Sequence, residues 1–583
     1  MKRLNNMVVE LARGVPKASE ELFECEFESP RSGWHYVGCS WDGESGEVRF
    51  VVDGRAAGTR PAFGSLVEAM PQLPAGPHTL RVEKTADGRL GEVCVRAVPE
   101  LAYCKHQYNP HIPEYGPYDW DFIARTVLPH VNTVVGNGDP SHEEHLKWWK
   151  ARGGKWIVET SLHGMNDETV TADDVWRNWT SSPGMVHPLM DGIMVDEFFS
   201  GRRPQYKAWT EAMSRIASDK RFEGKKVYPY LGSHYPDMDD WKRNASDGVD
   251  SSYRFLATTM EAGYPIAWER YLQERHSEDC AEEHIQDRLG STIAHWRHRF
   301  PDCARSLLVC LGYMTITETL NIHPGADYKV FMDMQFRFLA NHPDFEGLFG
   351  ILEYTSGYAD EETLRWAARL YRHYGIEGET DLLSDRLGYS YVPGHLRNPD
   401  FAFGWEGWHV PVDIEENVHV RHCEGFGHLQ GRWPRTSVGD SFLTMKRDAK
   451  IPNVVSQRIK NLQPGRMYSA KMISGSYDQL LAGKSKPEKL GIALSIAGVE
   501  TIPKKTFQSV VGNNYSHELG AFEGQNRYWF NYHQVVFRAT SPSAELFISD
   551  WEGSSSDGRP AGPLGETLLC NFVEVQPYFE EGV

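Results

Sequence analysis

The first hundred residues alternate apolar and polar positions in short runs. FECEFESP, WHYVGCSW, GEVRFVVDG and HTLRVEK each have the pattern of a strand, and glycine, proline and aspartate separate them. LPAGPHTLRV (73–82) is a tight turn that leads into the last of these runs. We therefore expect residues 1–98 to form a small antiparallel N-terminal β-sandwich.

From residue 99 to residue 378 the pattern changes, because strand-like apolar runs now alternate with amphipathic stretches at helical spacing. EEHLKWWKARG and KAWTEAMSRIASD are typical of these helical stretches, and DEETLRWAARLYRHYG follows the eighth strand. The predicted strands cover 100–108, 131–137, 155–161, 192–199, 226–232, 265–271, 306–313 and 347–354. Eight strand-then-helix units predict a central (β/α)8 TIM barrel. An open doubly wound sheet is the alternative, but the chain has no GxGxxG motif or P-loop.

The last third of the chain is again rich in strand patterns. Residues 379–394 resemble a linker, and residues 395–583 contain strand-like runs between Gly, Pro and Asn turns. The runs are NPDFAFGWEGWHV, DSFLTMKR, SQRIKNLQPGRMYSAKMIS, YWFNYHQVVFRAT and AELFISDW. We expect this region to fold as a C-terminal β-jelly roll, so the fold class is multidomain, α/β plus all-β.

Composition narrows the classes of partner. The 583 residues include 80 acidic and 61 basic side chains, a formal net charge of −19, whereas a nucleic-acid-binding face is basic. No run of apolar residues is long enough for a transmembrane helix. We therefore expect neither a nucleic-acid nor a membrane partner, and the sequence leaves the oligomeric state open. Aromatic residues make up 12 % of the chain, which raises the question of whether some form a binding surface.

The nine cysteines are few for this length and odd in number, which argues against a disulfide framework. No CxxC, HExxH or Cys/His cluster has metal-ligand spacing, so we expect no metal and no cofactor. The start MKRLNNMVVELARG is basic but lacks the apolar segment of a signal peptide. The expected compartment is the cytoplasm, or the extracellular space or periplasm if a leader has been trimmed.

Carboxylates follow several of the predicted barrel strands. In a barrel of this kind the reactive groups gather at the carboxyl ends of the strands, and these ends carry Glu159, Asp196, Glu197, Glu269 and Glu353. A buried carboxylate is costly unless it is paired or has a task. Two carboxyl groups facing one pocket are what acetal hydrolysis requires, one as proton donor and the other as nucleophile or base. Glu197 is the first candidate, with Glu353 or Glu269 as its catalytic partner.

Each candidate also has a structural interpretation. Asp196 and Glu197 are adjacent, so the pleat of a strand would point one into the pocket and leave the other to cap a helix or hold an arginine. Glu269 precedes Arg270 and could be an ion-paired barrel residue. Other polar and aromatic groups near strand ends could bind substrate hydroxyls or stack on sugar rings, although histidines and aromatics at such positions also serve as core residues. These expected substrate-binding residues are Asp196, Glu159, His106, Asn137, Tyr230, His234, Trp268, Tyr313 and Tyr354.

The middle region resembles (β/α)8 glycoside hydrolases in two segments, KARGGKWIVET entering the third strand and MDGIMVDEFF ending the fourth in an acid pair. It is similar to the clan in which a fourth-strand glutamate is the general acid/base, and this resemblance places that role on Glu197. In that clan the nucleophile follows the seventh strand. Here the seventh strand ends LLVCLGYMTITET without an immediate carboxylate, and Glu318 is five residues beyond Tyr313.

The C-terminal region resembles jelly-roll carbohydrate-binding modules. The segments that carry this resemblance are NPDFAFGWEGW (398–408), DSFLTMK (440–446), SQRIKNLQPGRMYS (456–469) and FISDW (547–551). Together the two resemblances imply a glycoside hydrolase acting on an oligo- or polysaccharide by carboxylate acid/base catalysis. The alternatives are a non-catalytic carbohydrate-binding or scaffold protein with a degenerate barrel, and a polysaccharide lyase or transglycosylase.

Overall fold

The structure is a computed structural model. It describes residues 1–16, 22–42, 48–61, 63–84, 88–104, 106, 108–232, 248–513, 527–552 and 558–580. The fold is mixed α/β, with a closed eight-stranded parallel barrel between two groups of antiparallel sheets. In the described part of the chain, no helix is long and apolar enough to span a membrane. All nine cysteines are described, and none forms a disulfide.

The N-terminal region contains two antiparallel sheets. The first has the order β1-β2-β10-β4-β7, with β8 also pairing β4, and the second has the order β3-β9-β5-β6. All four predicted strands are present, as β3, β4, β5 and β9. The strands are β1 Lys2–Arg3, β2 Val9–Gly14, β3 Leu22–Ser29, β4 Gly33–Trp41, β5 Val48–Val52, β6 Arg55–Ala57, β7 Leu66–Ala69, β8 Gln72–Leu73, β9 Gly76–Lys84 and β10 Leu90–Val98.

The eight strands predicted between residues 100 and 354 close into one parallel barrel, in chain order. Each strand is followed by one or more helices before the next begins. The barrel strands are β11 Glu100–Cys104, β12 Thr133–Gly136, β13 Lys155–Ser161, β14 Gly192–Phe198, β15 Lys226–Leu231, β16 Ile266–Arg270, β17 Leu307–Gly312 and β18 Gly350–Tyr354. The helices among and after them are α1 Trp120–Thr126, α2 Glu143–Ala151, α3 Ala172–Ser181, α4 Pro183–Val186, α5 Gln205–Ser218, α6 Ser252–Glu261, α7 Glu278–Ile285, α8 Thr292–Arg299, α9 Tyr328–Asn341 and α10 Glu361–Leu370.

Side-chain alternation divides the barrel strands between two cores. Residues such as Ala102, Met194 and Leu352 fill the interior of the barrel, whereas their neighbours Tyr103, Val195 and Ile351 pack outward in the layer shared with the helices. Several large side chains complete that outer layer without solvent contact, and they are Trp149, Trp156, Trp179, Trp209, Trp268, Trp296 and Trp366. At least seven of the 18 tryptophans are therefore core residues.

The segment 379–394 is packed rather than extended as a free linker. It contains α11 Leu383–Arg386, and the side chains of Leu382, Leu383, Tyr389 and Tyr391 belong to the same core as the barrel helices. The Ser384 amide donates to the Asp333 carboxylate of α9 at 2.6 Å. The chain therefore leaves the barrel along a fixed path.

The C-terminal region again contains two antiparallel sheets, one ordered β19-β20-β28-β22-β26-β24 with β25 on β26, and one ordered β21-β27-β23. The predicted strand over 398–410 is wrong, because Asn398–Trp408 forms turns with left-handed backbone at Asn398 (φ 47) and Phe401 (φ 57). The other four predicted runs contain strands. The elements are β19 Val418–His422, α12 Phe426–Leu429, β20 Ser441–Lys446, β21 Val454–Ile459, β22 Met467–Ser476, α13 Tyr477–Leu481, β23 Ala493–Ala497, β24 Val499–Thr501, β25 Phe507–Asn513, β26 Tyr528–Ala539, β27 Ala544–Ser549 and β28 Thr567–Pro577.

Buried ion pairs join both outer regions to the barrel. On the N-terminal side, Arg372 binds both carboxylate oxygens of Glu68 at 2.9 and 2.7 Å. On the C-terminal side, Lys471 of β22 lies 3.0 Å from Asp360, the N-cap of α10. These side chains are almost fully removed from solvent. The sheets at both ends are therefore held against the barrel by contacts that break only at a high energetic cost.

Glu274, just after β16, is a fully buried carboxyl that accepts hydrogen bonds from the backbone amides of Ile322 and His323. Burial raises its pKa from 4.5 to about 8. The contribution of protonated Glu274 to the free energy of unfolding is therefore fully present below about pH 4.5, and it is lost as the pH rises to about 8.

We expect Glu274→Gln to remove this pH dependence, because glutamine does not titrate. Relative to the variant, the wild-type protein should lose a few kcal/mol of unfolding free energy between pH 5 and pH 9, since one pKa unit is worth about 1.4 kcal/mol. Urea unfolding at both pH values measures the difference. The exposed Glu283→Gln is the matched control, and parallel pH profiles for wild type and Glu274→Gln would contradict the prediction.

Candidate active site

Two adjoining cavities open at the carboxyl end of the barrel. The central pocket has a volume of about 220 Å³, and the side pocket next to it has a volume of about 470 Å³. Glu159 and Asp196 line both cavities, so the two cavities meet at these residues and are together called the cleft. This is the edge where a parallel barrel places reactive groups, and the two cavities together lie in the size range of small-molecule sites.

The central pocket brings together five acidic side chains from four places in the barrel. Glu159 comes from β13, Asp196 and Glu197 from β14, Glu269 from β16, and Glu318 from the loop after β17. Four of these five residues were predicted from the strand ends. The structure therefore gathers the acidic groups around a single opening instead of spreading them over the barrel surface.

Asp196 and Glu197 both face the central pocket, which corrects the expectation that only one of two neighbouring strand residues would do so. The register between β14 and β15 shifts after Val195, so that Val195 pairs with Pro229 and Phe198 with Leu231. Glu197 adopts left-handed backbone with φ 66. This bulge interrupts the alternation of the pleat and turns the exposed Glu197 side chain toward the pocket.

Glu318 is the residue of this set that the strand ends did not predict. Its side chain is almost entirely buried, yet it lines the central pocket. Burial raises its pKa from 4.5 to about 7, because removal from water disfavours the charged form. Glu318 can therefore hold a proton near neutral pH, as a general acid must.

Tyrosines form one wall of the central pocket. The Tyr230 and Tyr271 hydroxyls lie 2.6 Å apart, and the Tyr271 ring stacks on Tyr354 with centroids 5.5 Å apart. Burial raises the pKa of all three phenols, so they remain neutral hydrogen-bonding groups. Tyr230 and Tyr354 were predicted, whereas Tyr271 lies one residue past the end of β16 and was missed.

The side pocket contains two further predicted residues, His106 and Asn137. The His106 ring is enclosed by His142 and Trp156, with ring centroids 5.1 and 5.2 Å away. Burial lowers its pKa to about 3, so the imidazole is neutral. Neither of its ring nitrogens has a hydrogen-bond partner among the described residues. The described residues contain no group of His, Cys, Asp or Glu side chains that could hold a metal ion.

Three predicted residues, Glu353, Tyr313 and Trp268, line neither cavity. Glu353 pairs in register with Tyr103 and Leu311 and is only 1 % exposed. Burial raises the pKa of its carboxyl well above the ordinary value. Tyr313 belongs to the same outer layer, and Trp268 packs on Trp296 with centroids 5.9 Å apart. The structure therefore does not bring Glu353 together with Glu197, and it does not bring Tyr313 or Trp268 to the cleft, as the sequence predicted.

His234 falls outside the described residues. Several pocket residues besides Glu318 and Tyr271 were not predicted, and they are Cys104, Met194, Met314 and Trp433 in the central pocket and Tyr108, Gly136, Thr160 and Ser161 in the side pocket. The sequence signal for Glu318 is its place five residues beyond Tyr313, after the seventh strand. Trp433 is 115 residues from Glu318 in sequence, and no pattern in the chain connects the two.

No protein-family model and no curated protein matches the sequence. Among solved structures, the chain is similar to a GH2 β-galacturonidase from Eisenbergiella tayi, with 10 % identity, a TM-score of 0.32, and coverage of 64 % of this chain and 98 % of that one. It is similar to Bacteroides uniformis β-glucuronidase 2, with 10 % identity, a TM-score of 0.30, and coverage of 92 % and 80 %. It is also similar to TmCBM61, solved with β-1,4-galactotriose, with 13 % identity, a TM-score of 0.18, and coverage of 31 % and 97 %. The structures that this chain resembles thus include glycoside hydrolases and a carbohydrate-binding module.

Proposed function

We propose that this protein is a glycoside hydrolase that cleaves glycosidic bonds of an oligo- or polysaccharide by carboxylate acid/base catalysis. The observation that carries the proposal is the central pocket, where Glu197 and Glu318 open into one cavity with three further carboxyl groups. Glycoside hydrolysis needs a protonated carboxyl group and a second carboxylate at one bond. The tyrosine wall and the adjoining side pocket supply aromatic faces and hydrogen-bonding groups suited to a sugar.

The two roles follow from the environments of the two residues. Glu318, whose pKa burial raises to about 7, is the proton donor to the leaving oxygen. Glu197, exposed on the bulge of β14, is the carboxylate that attacks the anomeric carbon or activates water. This assignment departs from the acid/base role that the sequence resemblance gave to Glu197. Asp196, Glu159, His106, Asn137, Tyr230 and Tyr354 are proposed substrate-binding residues, and Glu269 is the alternative second carboxylate.

The proposal includes a division of the chain into an N-terminal β-sandwich (1–98), a catalytic barrel (99–378), a connecting segment (379–394) and a C-terminal jelly roll (395–583). The sheet orders of the two outer regions support this division. The buried pairs Glu68–Arg372 and Asp360–Lys471 support a bracing role for both outer regions in this proposal.

A screen of the full chain over a glycan library, with detection of new reducing ends, tests the proposal. We expect release of reducing sugar from at least one glycan and no near-ultraviolet absorbance in the products. Products that absorb in the near ultraviolet would identify a lyase, and glycan binding without turnover would identify a non-catalytic carbohydrate-binding protein. Either result overturns hydrolysis.

The pH dependence of hydrolysis tests the role of Glu318. A proton donor works in its protonated form, so kcat/KM should fall as the pH rises through about 7, by about tenfold per pH unit beyond it. Glu318→Gln cannot titrate, so its residual activity should lack this alkaline limb. The measurement is kcat/KM between pH 5 and pH 9 for both proteins, and an alkaline limb that persists in Glu318→Gln would assign the titration to another group.

A further inference from the structure

A loop of the C-terminal region reaches into the central pocket. Between β19 and β20 the chain runs along the barrel segment that carries Glu318, and Thr319 forms a parallel β-bridge with Arg432. The Thr319 amide donates to the Gly431 carbonyl at 2.6 Å, and the Trp433 amide donates to the Thr319 carbonyl at 2.9 Å. Glu318 and Trp433 are therefore each next to a residue of the same bridge.

Buried contacts fix this loop on both sides. The Arg432 side chain is 1 % exposed and binds both carboxylate oxygens of Asp400, at 2.6 and 2.9 Å. It also donates to the carbonyl of Ile322, four residues past Glu318, at 2.9 Å. Gly431 has φ 90, and a Cβ added there would come within 2.8 Å of Thr317 Cγ2. The backbone before Trp433 thus packs closely against the segment that carries Glu318 and has little freedom to shift.

The Trp433 side chain remains 42 % exposed although its backbone is fixed. It lines the central pocket together with Glu318 and Tyr358. The exposed part of an indole on a rigid backbone offers an apolar surface that is already in position before a ligand arrives. The C–H face of a pyranose ring is the ligand surface that matches an indole next to a pair of carboxyl groups.

We propose that Trp433 is a specificity-determining residue, on which a sugar ring of the substrate stacks in the subsite beside Glu318. The substrate site is then completed by the C-terminal region, so the barrel alone forms an incomplete site. This inference rests on the proposed function for the class of substrate. It adds to the proposed substrate site one residue from outside the barrel, and it assigns one ring of the oligosaccharide to a position against that residue.

The test compares Trp433→Ala with Trp433→Phe on the glycan found in the library screen. We expect Trp433→Ala to raise KM about tenfold with kcat within about threefold of wild type, because a stacking contact is lost without loss of the carboxyl groups. Trp433→Phe keeps an aromatic face and should stay within about threefold in both constants. Phe403→Ala removes another exposed ring of the C-terminal region, 75 % exposed and outside the pocket, and should change neither constant.

Two results would overturn the inference. The first is a Trp433→Ala protein with the KM of wild type. The second is a Trp433→Phe protein as impaired as Trp433→Ala with a lowered unfolding temperature in both, which would mean that the indole only packs the loop.

Binding separates this inference from the proposed catalysis. Wild type and Trp433→Ala are compared on an array of neutral and acidic oligosaccharides. If wild type binds a glycan that it does not hydrolyse and Trp433→Ala binds it about tenfold more weakly, the stacking role stands and the hydrolase proposal fails. If the wild-type protein binds no glycan on the array and hydrolyses none, the stacking role is overturned.

Discussion

Glu318→Gln is expected to lower kcat/KM about 10³-fold on an unactivated glycan, because glutamine cannot donate the proton that the leaving oxygen requires. On an aryl glycoside with a nitrophenol leaving group the loss should be about tenfold or less, since that group departs without protonation. Glu197→Gln should lose about 10³-fold or more on both substrates, because attack on the anomeric carbon is needed in either case. Steady-state kinetics on the two substrates distinguish the roles.

Glu353→Gln is the matched control for this pair. It also lies near the end of a barrel strand, but its register partners Tyr103 and Leu311 belong to the outer layer of the barrel, and it lines neither cavity. Burial raises the pKa of its carboxyl, so a neutral amide of similar shape is tolerated there and should leave kcat/KM within about threefold of wild type. Full activity in Glu197→Gln on both substrates, or a large loss in Glu353→Gln without a loss of stability, would contradict the assignment.

Glu68→Ala is expected to lower the free energy of unfolding by about 3–5 kcal/mol, because it leaves the buried Arg372 guanidinium without its counter-charge. Arg372 is 1 % exposed, and its Nε donates to His130 Nδ1 at 3.0 Å. Tyr36 would also lose the carboxylate that accepts its hydroxyl at 2.6 Å. The measurement is urea unfolding, combined with limited proteolysis to report whether the N-terminal sheets separate from the barrel.

Two comparisons make this result specific. Glu24→Ala breaks an exposed ion pair with Arg81 in the same N-terminal sheets, and it should cost less than about 1 kcal/mol. The double variant Glu68→Leu, Arg372→Met should be less destabilised than Glu68→Ala, because no charge is left buried. A cost below about 1 kcal/mol for Glu68→Ala would show that the pair does not hold the two regions together.

The barrel could be predicted from the sequence because each of its strands and helices has a hydrophobic pattern within its own segment. Each of the eight strands is a short apolar run followed by an amphipathic stretch, and both patterns are set by the period of the element. At Asn398–Trp408 the aromatic residues predict a strand, because such residues favour strands in general, but the structure has turns there. The left-handed backbone at Asn398 and Phe401 is not encoded in that preference.

The site could be predicted only in part, for reasons of geometry. Alternation along a strand gives two faces, but the sequence does not say which face points into the barrel, so Glu353 and Glu269 looked equivalent. The bulge that turns Glu197 into the pocket follows from the pairing between two strands. The place of Trp433 in the pocket could not be predicted, because it depends on a backbone hydrogen bond to Thr319, which is 114 residues away in sequence.

At Glu197 the residue type that suits the left-handed backbone differs from the residue type that the proposed catalysis requires. At φ 66 glycine is unstrained, whereas a residue with a Cβ costs about 1 kcal/mol. Laboratory evolution for heat resistance alone would therefore favour glycine at position 197, and evolution for turnover would retain the carboxylate. A stabilised variant with glycine at position 197 would therefore have a less strained backbone and no catalytic carboxylate.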